Sequence, residues 1–259
     1  MFDAHCHLDR CTDDPREILK RARQVGINHI MIAGVQADQW AGQNDLAGPG
    51  VHVSWGIHPW RVAQSKDDLN DELNALNTML HARPVSPAAL GETGLDYGKR
   101  IDPTSHAKQR DAFRKQIHLA KEHQLPLILH VVRAHEDTIR ILKEEGLPEA
   151  GGMVHSFSGN DVQARQYLQL DLHISFSGSV TNPKSTRIRK AAAYVPENRL
   201  LVETDAPDQT PIERKPQPNE PAFLIDVIAA IAELRGCPTD HLAQSTAENA
   251  HTLFGTQSS

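Results

Sequence analysis

The sequence predicts an α/β protein of the (β/α)8 class, the TIM-barrel architecture, folded as a single domain over residues 1–259 with its site at the C-terminal mouth. Three observations carry that expectation. Short apolar, β-rich runs alternate with longer amphipathic segments along the whole chain. The runs number eight, which is the count that closes a parallel ring through right-handed crossovers. A length of 259 residues suits one such ring. The structural alternative, an open doubly wound sheet, gathers its ligands at one switch point, whereas here the chemistry-bearing residues end strands from the first to the last.

In chain order the strand candidates are Phe2–Leu8, Asn28–Val35, Val51–His58, Pro87–Gly94, Leu125–Val132, Gly152–Ser158, Leu172–Gly178 and Leu200–Ala206. Helical periodicity falls between them at Asp14–Val25, Lys66–His81, Thr104–His123, His135–Glu145, Asp161–Leu170 and Lys184–Tyr194. Thr104 and Asp161 are the expected N-caps, and Gly26 and Gly146 stand where helices stop. Two helices, Pro221–Arg235 and Thr239–Leu253, close the chain around Gly236-Cys237-Pro238. The long irregular segment Pro207–Glu220, rich in proline, reads as an active-site loop after the last strand.

Composition narrows the function. Against 33 acidic residues stand 27 Lys and Arg, for a net charge of −6. A protein that coats long nucleic acid carries a basic surplus, because phosphate neutralisation drives its affinity. This balance instead favours a substrate held at a pocket. Three cysteines without a CxxC pattern, and no secretory signal, point to a reducing cytoplasm. No apolar run approaches the ~20 residues a membrane helix needs, so no membrane partner is expected.

Where the fifteen histidines fall is the informative question. His5-Cys6-His7 ends the first strand, and side chains two apart on a strand point the same way, so both imidazoles can face the axis. Glu92 sits in an apolar fourth strand, His130 ends Leu127-Ile128-Leu129, His155 ends Gly152-Met153-Val154, and Asp205 ends the eighth strand. Each such residue taken singly has a plain reading as a hydrogen-bonded core group. Six of them at the catalytic ends of strands are another matter, since burying this many carboxylates and imidazoles without a cation is costly. Four histidines and two carboxylates exceed one tetrahedral site and suit two divalent ions. Glu92 is then the bridge, His5, His7 and Asp205 hold one ion, and His130 and His155 hold the other. Zn²⁺, Mn²⁺ and Mg²⁺ are all candidates, with the histidine content leaning away from Mg²⁺.

Other positions carry two readings each. Glu203, two residues before Asp205, either orients a ligand histidine or sits in a structural hydrogen-bond network. His58 either binds substrate or builds a turn with Pro59. Arg133 is a fork-shaped phosphate donor or a solvated loop residue. Tyr97, Lys99 and Arg100 lie in the loop after Glu92, with Tyr97 the substrate-binding candidate. Lys184, Arg187, Arg189 and Lys190 read as a solvated helix face before they read as phosphate contacts. His135 opens a helix near the mouth and is assigned to neither class. The remaining histidines (29, 52, 81, 106, 118, 123, 173, 241 and 251) read as structural.

The chain resembles the TatD-type deoxyribonucleases of the amidohydrolase-like barrels over nearly its whole length. The match runs through Asp3-Ala4-His5-Cys6-His7-Leu8, Gly56-Ile57-His58-Pro59, Gly91-Glu92-Thr93-Gly94-Leu95-Asp96-Tyr97 and Gln109-Arg110 with Phe113. It continues through Leu125-Pro126 with His130, His155-Ser156-Phe157-Ser158-Gly159, Ile174-Ser175-Phe176-Ser177-Gly178 and Glu203-Thr204-Asp205-Ala206-Pro207, then Asn219-Glu220-Pro221 and Glu248-Asn249-Ala250 with Leu253-Phe254-Gly255. Two positions depart from the pattern: Asp208 replaces an aromatic or apolar residue, and Ser156 stands where Cys is common. The resemblance implies a metal-dependent nuclease or phosphodiesterase with those six residues as ligands. The leading expectation is action from an end on DNA or another phosphodiester held at a pocket, by a monomer or weak oligomer. In such a site Glu92 and Asp205 serve catalysis, with Asp205 orienting the attacking water and shuttling its proton while Glu203 supports it. Two other readings remain: a two-metal hydrolase of a small amide, lactone or ester, and a noncatalytic metal-binding scaffold.

Overall fold

The computed structural model describes residues 1–65, 69–82 and 86–256. Eight strands form one sheet in sequential order: β1 (Phe2–Cys6), β2 (His29–Ala33), β3 (Val51–Trp55), β4 (Ala89–Asp96), β5 (Leu127–Val132), β6 (Gly152–Val154), β7 (His173–Phe176) and β8 (Leu200–Val202). The neighbours pair in parallel, for example β1 with β2, β4 with β5 and β7 with β8. The last strand returns to the first, because Asp205 N–H donates to His5 O at 2.9 Å and His7 N–H donates to Ala206 O at 2.7 Å. This is the (β/α)8 barrel class that the alternation predicts.

The helices are α1 (Pro15–Gln24), α2 (Ala37–Asn44), α3 (Pro59–Gln64), α4 (Asn70–Ala82), α5 (His106–Glu122), α6 (His135–Glu145), α7 (Asp161–Leu168), α8 (Thr186–Tyr194), α9 (Leu224–Arg235) and α10 (Thr239–Phe254). Two of them, α2 and α3, are absent from the sequence expectation. The first buries only Trp40 and Gln43, and the second is six residues long, so neither shows a sustained apolar stripe. The helix expected from Lys66 begins at Asn70 among the described residues, and Lys66 itself lies outside them. Both predicted caps shift. Asp102, not Thr104, accepts from the Thr104 N–H and opens a 3-10 turn ahead of α5. Asn160, not Asp161, caps α7, because Gln163 completes a reciprocal capping box with it. Gly146 closes α6 at φ 72°, where a side chain would be strained.

The chain divides into two compact units, Met1–Ile32 with Gly48–His52 and His155–Ser259, and Ala33–Ala47 with Val53–Val154. In the first, Phe157 is fully buried and its ring meets Tyr167 and Phe176 edge-on at 6.2 and 5.9 Å. Burial of each such ring stabilises the fold by about 1.5–3 kcal/mol. The second packs Trp40 against Trp55 at 6.4 Å, both buried. Among the described residues no helix is long and apolar enough to cross a membrane.

Candidate metal centre

In the first unit, the end of β1 delivers two imidazoles to one point. His5 Nε2 and His7 Nε2 lie 3.3 Å apart, and each lies 3.6 Å from Asp205 Oδ1. The three donor atoms converge closely enough to hold one ion. Asp205 adopts φ +56°, a left-handed conformation that costs a non-glycine residue energy and clusters at functional positions. Beneath them Asp3 accepts from Thr204 N–H at 2.9 Å and Thr204 Oγ1 at 2.5 Å, tying β1 to the segment that carries Asp205. Burial pushes the Asp3 carboxyl up to about 7, against the downward pull of those Thr204 bonds.

His155, Glu203 and Asp205 form a second convergent group in this unit. Glu203 Oε1 lies 3.3 Å from His155 Nδ1 and accepts the Ser156 N–H at 2.7 Å. A carboxylate only accepts, so His155 carries its proton on Nδ1 and its lone pair on Nε2. That is the carboxylate–histidine pairing that prepares an imidazole for a cation. Glu203 Oε2 is buried without a hydrogen-bond partner, a costly arrangement that a nearby cation would relieve. Glu203 thus faces the His155 imidazole and also accepts a backbone N–H, so the geometry contains elements of both sequence readings.

In the second unit, His58, Glu92 and His130 converge. Glu92 Oε1 lies 2.6 Å from His130 Nδ1 and 3.1 Å from His58 Nε2, and Glu92 is 1% exposed. The two histidines differ in protonation. His58 Nδ1 accepts the Trp60 N–H at 2.9 Å, so the neutral ring holds its proton on Nε2 and presents a donor, not a lone pair. His58 therefore belongs to the site without being a suitable ligand through Nε2. His130 has a carboxylate at each ring nitrogen, Asp96 Oδ2 at 3.2 Å from Nε2 and Glu92 Oε1 at 2.6 Å from Nδ1. A cation at Nδ1 would therefore displace the proton shared there with Glu92 while Asp96 keeps the other. Asp96 repeats for His130 what Glu203 does for His155. Burial alone would raise the Asp96 carboxyl, but His130, the Gly98 N–H and the Trp60 indole together hold it below its usual range.

Local sequence explains this placement. A Cβ on Gly94 would approach His130 O to 2.2 Å, and one on Gly91 would approach Ile128 O to 2.6 Å, so Gly91-Glu92-Thr93-Gly94 lets β4 lie close against β5. From α5, buried Gln109 clamps Asp96 through both its N–H and its carbonyl at 2.8 and 3.1 Å. Gln116 does the same for Ile57 at 2.8 and 3.0 Å. These two amides fix the segments that carry Asp96 and His58. After β8, Asn219 donates to Thr204 O and Asp208 O, pinning the proline-rich loop back toward Asp205.

The expected substrate residues are placed differently from one another. Arg133 is exposed just beyond β5 at φ +56°. The Tyr97 hydroxyl donates to Asp137 at 2.7 Å and accepts from Arg110 at 3.1 Å, while its ring stacks on His106 at 3.7 Å, so it braces its loop. Asp208 has Arg10 at 3.8 Å, which offsets its charge. Elsewhere His81, Glu122 and His123 also converge, although His81 and Glu122 are exposed. Sequence reasoning missed Asp3, Asp96 and the buried glutamines. Asp96 had a signal, because Glu92, Gly94 and Asp96 alternate along one face of β4.

The chain is similar over nearly its whole length to known proteins. The family model described as TatD related DNase matches residues 2–255. A protein of Escherichia coli named uncharacterized metal-dependent hydrolase YjjV is 35% identical over 98% of this chain and 97% of its own length. A Pantoea vagans protein named 3'-5' ssDNA/RNA exonuclease TatD is 32% identical over 98% of this chain and 99% of its own. The crystal structure of the Escherichia coli YjjV protein superposes with a TM-score of 0.92 at 34% identity, covering 99% of this chain and 98% of that one.

Proposed function

The chain belongs to the TatD-related DNase family and is a metal-dependent hydrolase, and from that premise we propose that it removes nucleotides from an end of single-stranded DNA with two divalent ions bound. The observation that carries this reading is the repeated carboxylate–histidine pairing, Glu203 with His155 and Asp96 with His130, at strand ends that also present His5, His7, Glu92 and Asp205. In this reading His5, His7, Glu92, His130, His155 and Asp205 are the ligands. Four imidazoles favour Zn²⁺ or Mn²⁺ over Mg²⁺. The name of the Pantoea vagans relative supports phosphodiester chemistry.

Bound divalent ions supply Lewis acidity toward phosphoryl oxygens and lower the proton affinity of a coordinated water. The chain's own groups do the rest. Asp205, held at its strained φ, orients the nucleophilic water and accepts its proton. Glu203 keeps His155 in the Nδ1–H form, and Asp96 keeps the Nε2 proton on His130. His58 Nε2–H and the exposed Arg133 guanidinium serve as donors to phosphate oxygens. We read residues 1–259 as one domain, acting as a monomer or weak oligomer. Its free Cys6, Cys11 and Cys237 fit a reducing cytoplasm.

The test is parallel assay of wild type and Asp205→Asn on end-labelled single-stranded DNA, a generic phosphodiester and a lactone panel. Mononucleotide release by the wild type, lost in the variant, is expected. Turnover confined to lactones or esters overturns the phosphodiester reading.

A further inference from the structure

We propose that Trp60 is a nucleobase-stacking platform, a subsite beside the His58–Glu92–His130 cluster that holds a base of the substrate strand; the proposal rests on the single-strand nuclease reading above. Of the three tryptophans, Trp40 and Trp55 are 1% and 0% exposed, whereas Trp60 is 41% exposed. It stands at the first turn of α3, directly after His58-Pro59. Its backbone N–H is held by His58 Nδ1 at 2.9 Å and its indole Nε1–H by Asp96 Oδ2 at 2.5 Å. The ring centroid lies 5.1 Å from His58 and 6.4 Å from His130, both rings meeting it at steep angles.

Both polar handles of the residue are thus engaged, and what remains toward solvent is π surface held in one orientation. An indole left half-exposed forgoes burial, and its immobilisation has already been met by the fold, so an incoming planar group loses little further freedom. The chemistry selects that group. Asp96 at the indole edge disfavours a second phosphate and tolerates a neutral base. Every base offers a π-face, so stacking accepts any sequence, as an end-on nuclease requires. With a phosphate at the metal cluster, an attached base lies within a nucleotide's reach of an aromatic ring that already touches His58 and His130.

The test uses metal-loaded enzyme on end-labelled single-stranded DNA, comparing wild type, Trp60→Phe and Trp60→Ala, each with an intact or an abasic terminal nucleotide. Trp60→Ala is expected to raise KM about tenfold with kcat little changed. Trp60→Phe should stay near wild type, and the abasic end should weaken the wild type but not Trp60→Ala further. As Trp60 is the exposed tryptophan, single-stranded DNA should quench the emission of Asp205→Asn protein and fail to do so when Trp60→Ala is added. An unchanged KM in Trp60→Ala overturns the subsite alone. So does a fall in kcat at constant KM, which marks lost positioning of Asp96. A wild type that cleaves no DNA overturns the nuclease reading and the subsite with it.

Discussion

Histidines gather at both ends of β1, and the two gatherings behave differently. At the strand's end His5, His7 and His155 face Asp205 and Glu203. At its start His29 and His52 stack on Phe2 at 5.6 and 5.5 Å, His251 meets Phe2 edge-on, and His29 Nδ1 lies 3.3 Å from His52 Nε2. Burial, then the neighbouring histidines, pushes His52 down to about 4, and burial also lowers His29 and His251. The difference lies in the partners. Carboxylates face the imidazoles of one group, Glu203 setting the tautomer of His155, while burial against Phe2 and mutual repulsion keep the other group neutral. Histidine count alone does not make a metal site.

The largest effect expected from breaking this contrast is at Asp205. Asp205→Asn should lower kcat by about 10²–10⁴-fold, measured on single-stranded DNA at saturating metal. Next come the carboxylates behind the imidazoles. Glu203→Gln and Asp96→Asn should each weaken metal binding by about 10–100-fold, read by competition against a chromophoric chelator, with activity recovered at higher metal concentration. Loss of activity at unchanged metal affinity would place these residues in the chemistry itself.

A smaller effect is expected at the opposite end. The His52 pKa of about 4 lies below its unfolded value of 6.5, so the unfolded chain takes up the proton first. The stability is fully present above about pH 6.5 and is lost as pH falls toward 4. Discounted for partial exposure, the contribution is about 1 kcal/mol. Thermal melts of metal-free protein between these pH values should show His52→Gln less acid-sensitive than wild type, and parallel curves would refute it. The smallest effect sharpens the contrast. Thr256→Asp places a carboxylate where His251 Nδ1 now meets Thr256 Oγ1 at 2.8 Å, and should raise the His251 pKa in an NMR titration by roughly 1 unit.

The alternation and the strand-end candidate residues were legible because each depends on a local pattern. An apolar run followed by one imidazole or carboxylate marks His130 and His155 wherever the rest of the chain goes. What was not legible depends on distant partners. The proton on His58 Nε2 follows from a backbone N–H at Trp60, and the role of Asp96 follows from His130 on the next strand. Asp3 becomes a structural tie only because Thr204 lies beside it. Similarly α3 was hidden by its shortness, and the cap of α7 moved one residue because Gln163 pairs with Asn160. The proline-rich segment after β8 reads as a loop from sequence alone, but its pinning by Asn219 depends on the fold.

The central claim is that the histidines facing carboxylates at the strand ends, His5 and His7 among them, hold the ions, and elemental analysis tests it directly. Wild type purified without chelator, the His5→Ala/His7→Ala double variant and the His29→Ala/His52→Ala double variant would be compared for divalent metal per chain. About two ions are expected in the wild type and in the His29/His52 variant, and about one in the His5/His7 variant. A metal content unchanged by losing His5 and His7, or lowered by losing His29 and His52, would contradict it.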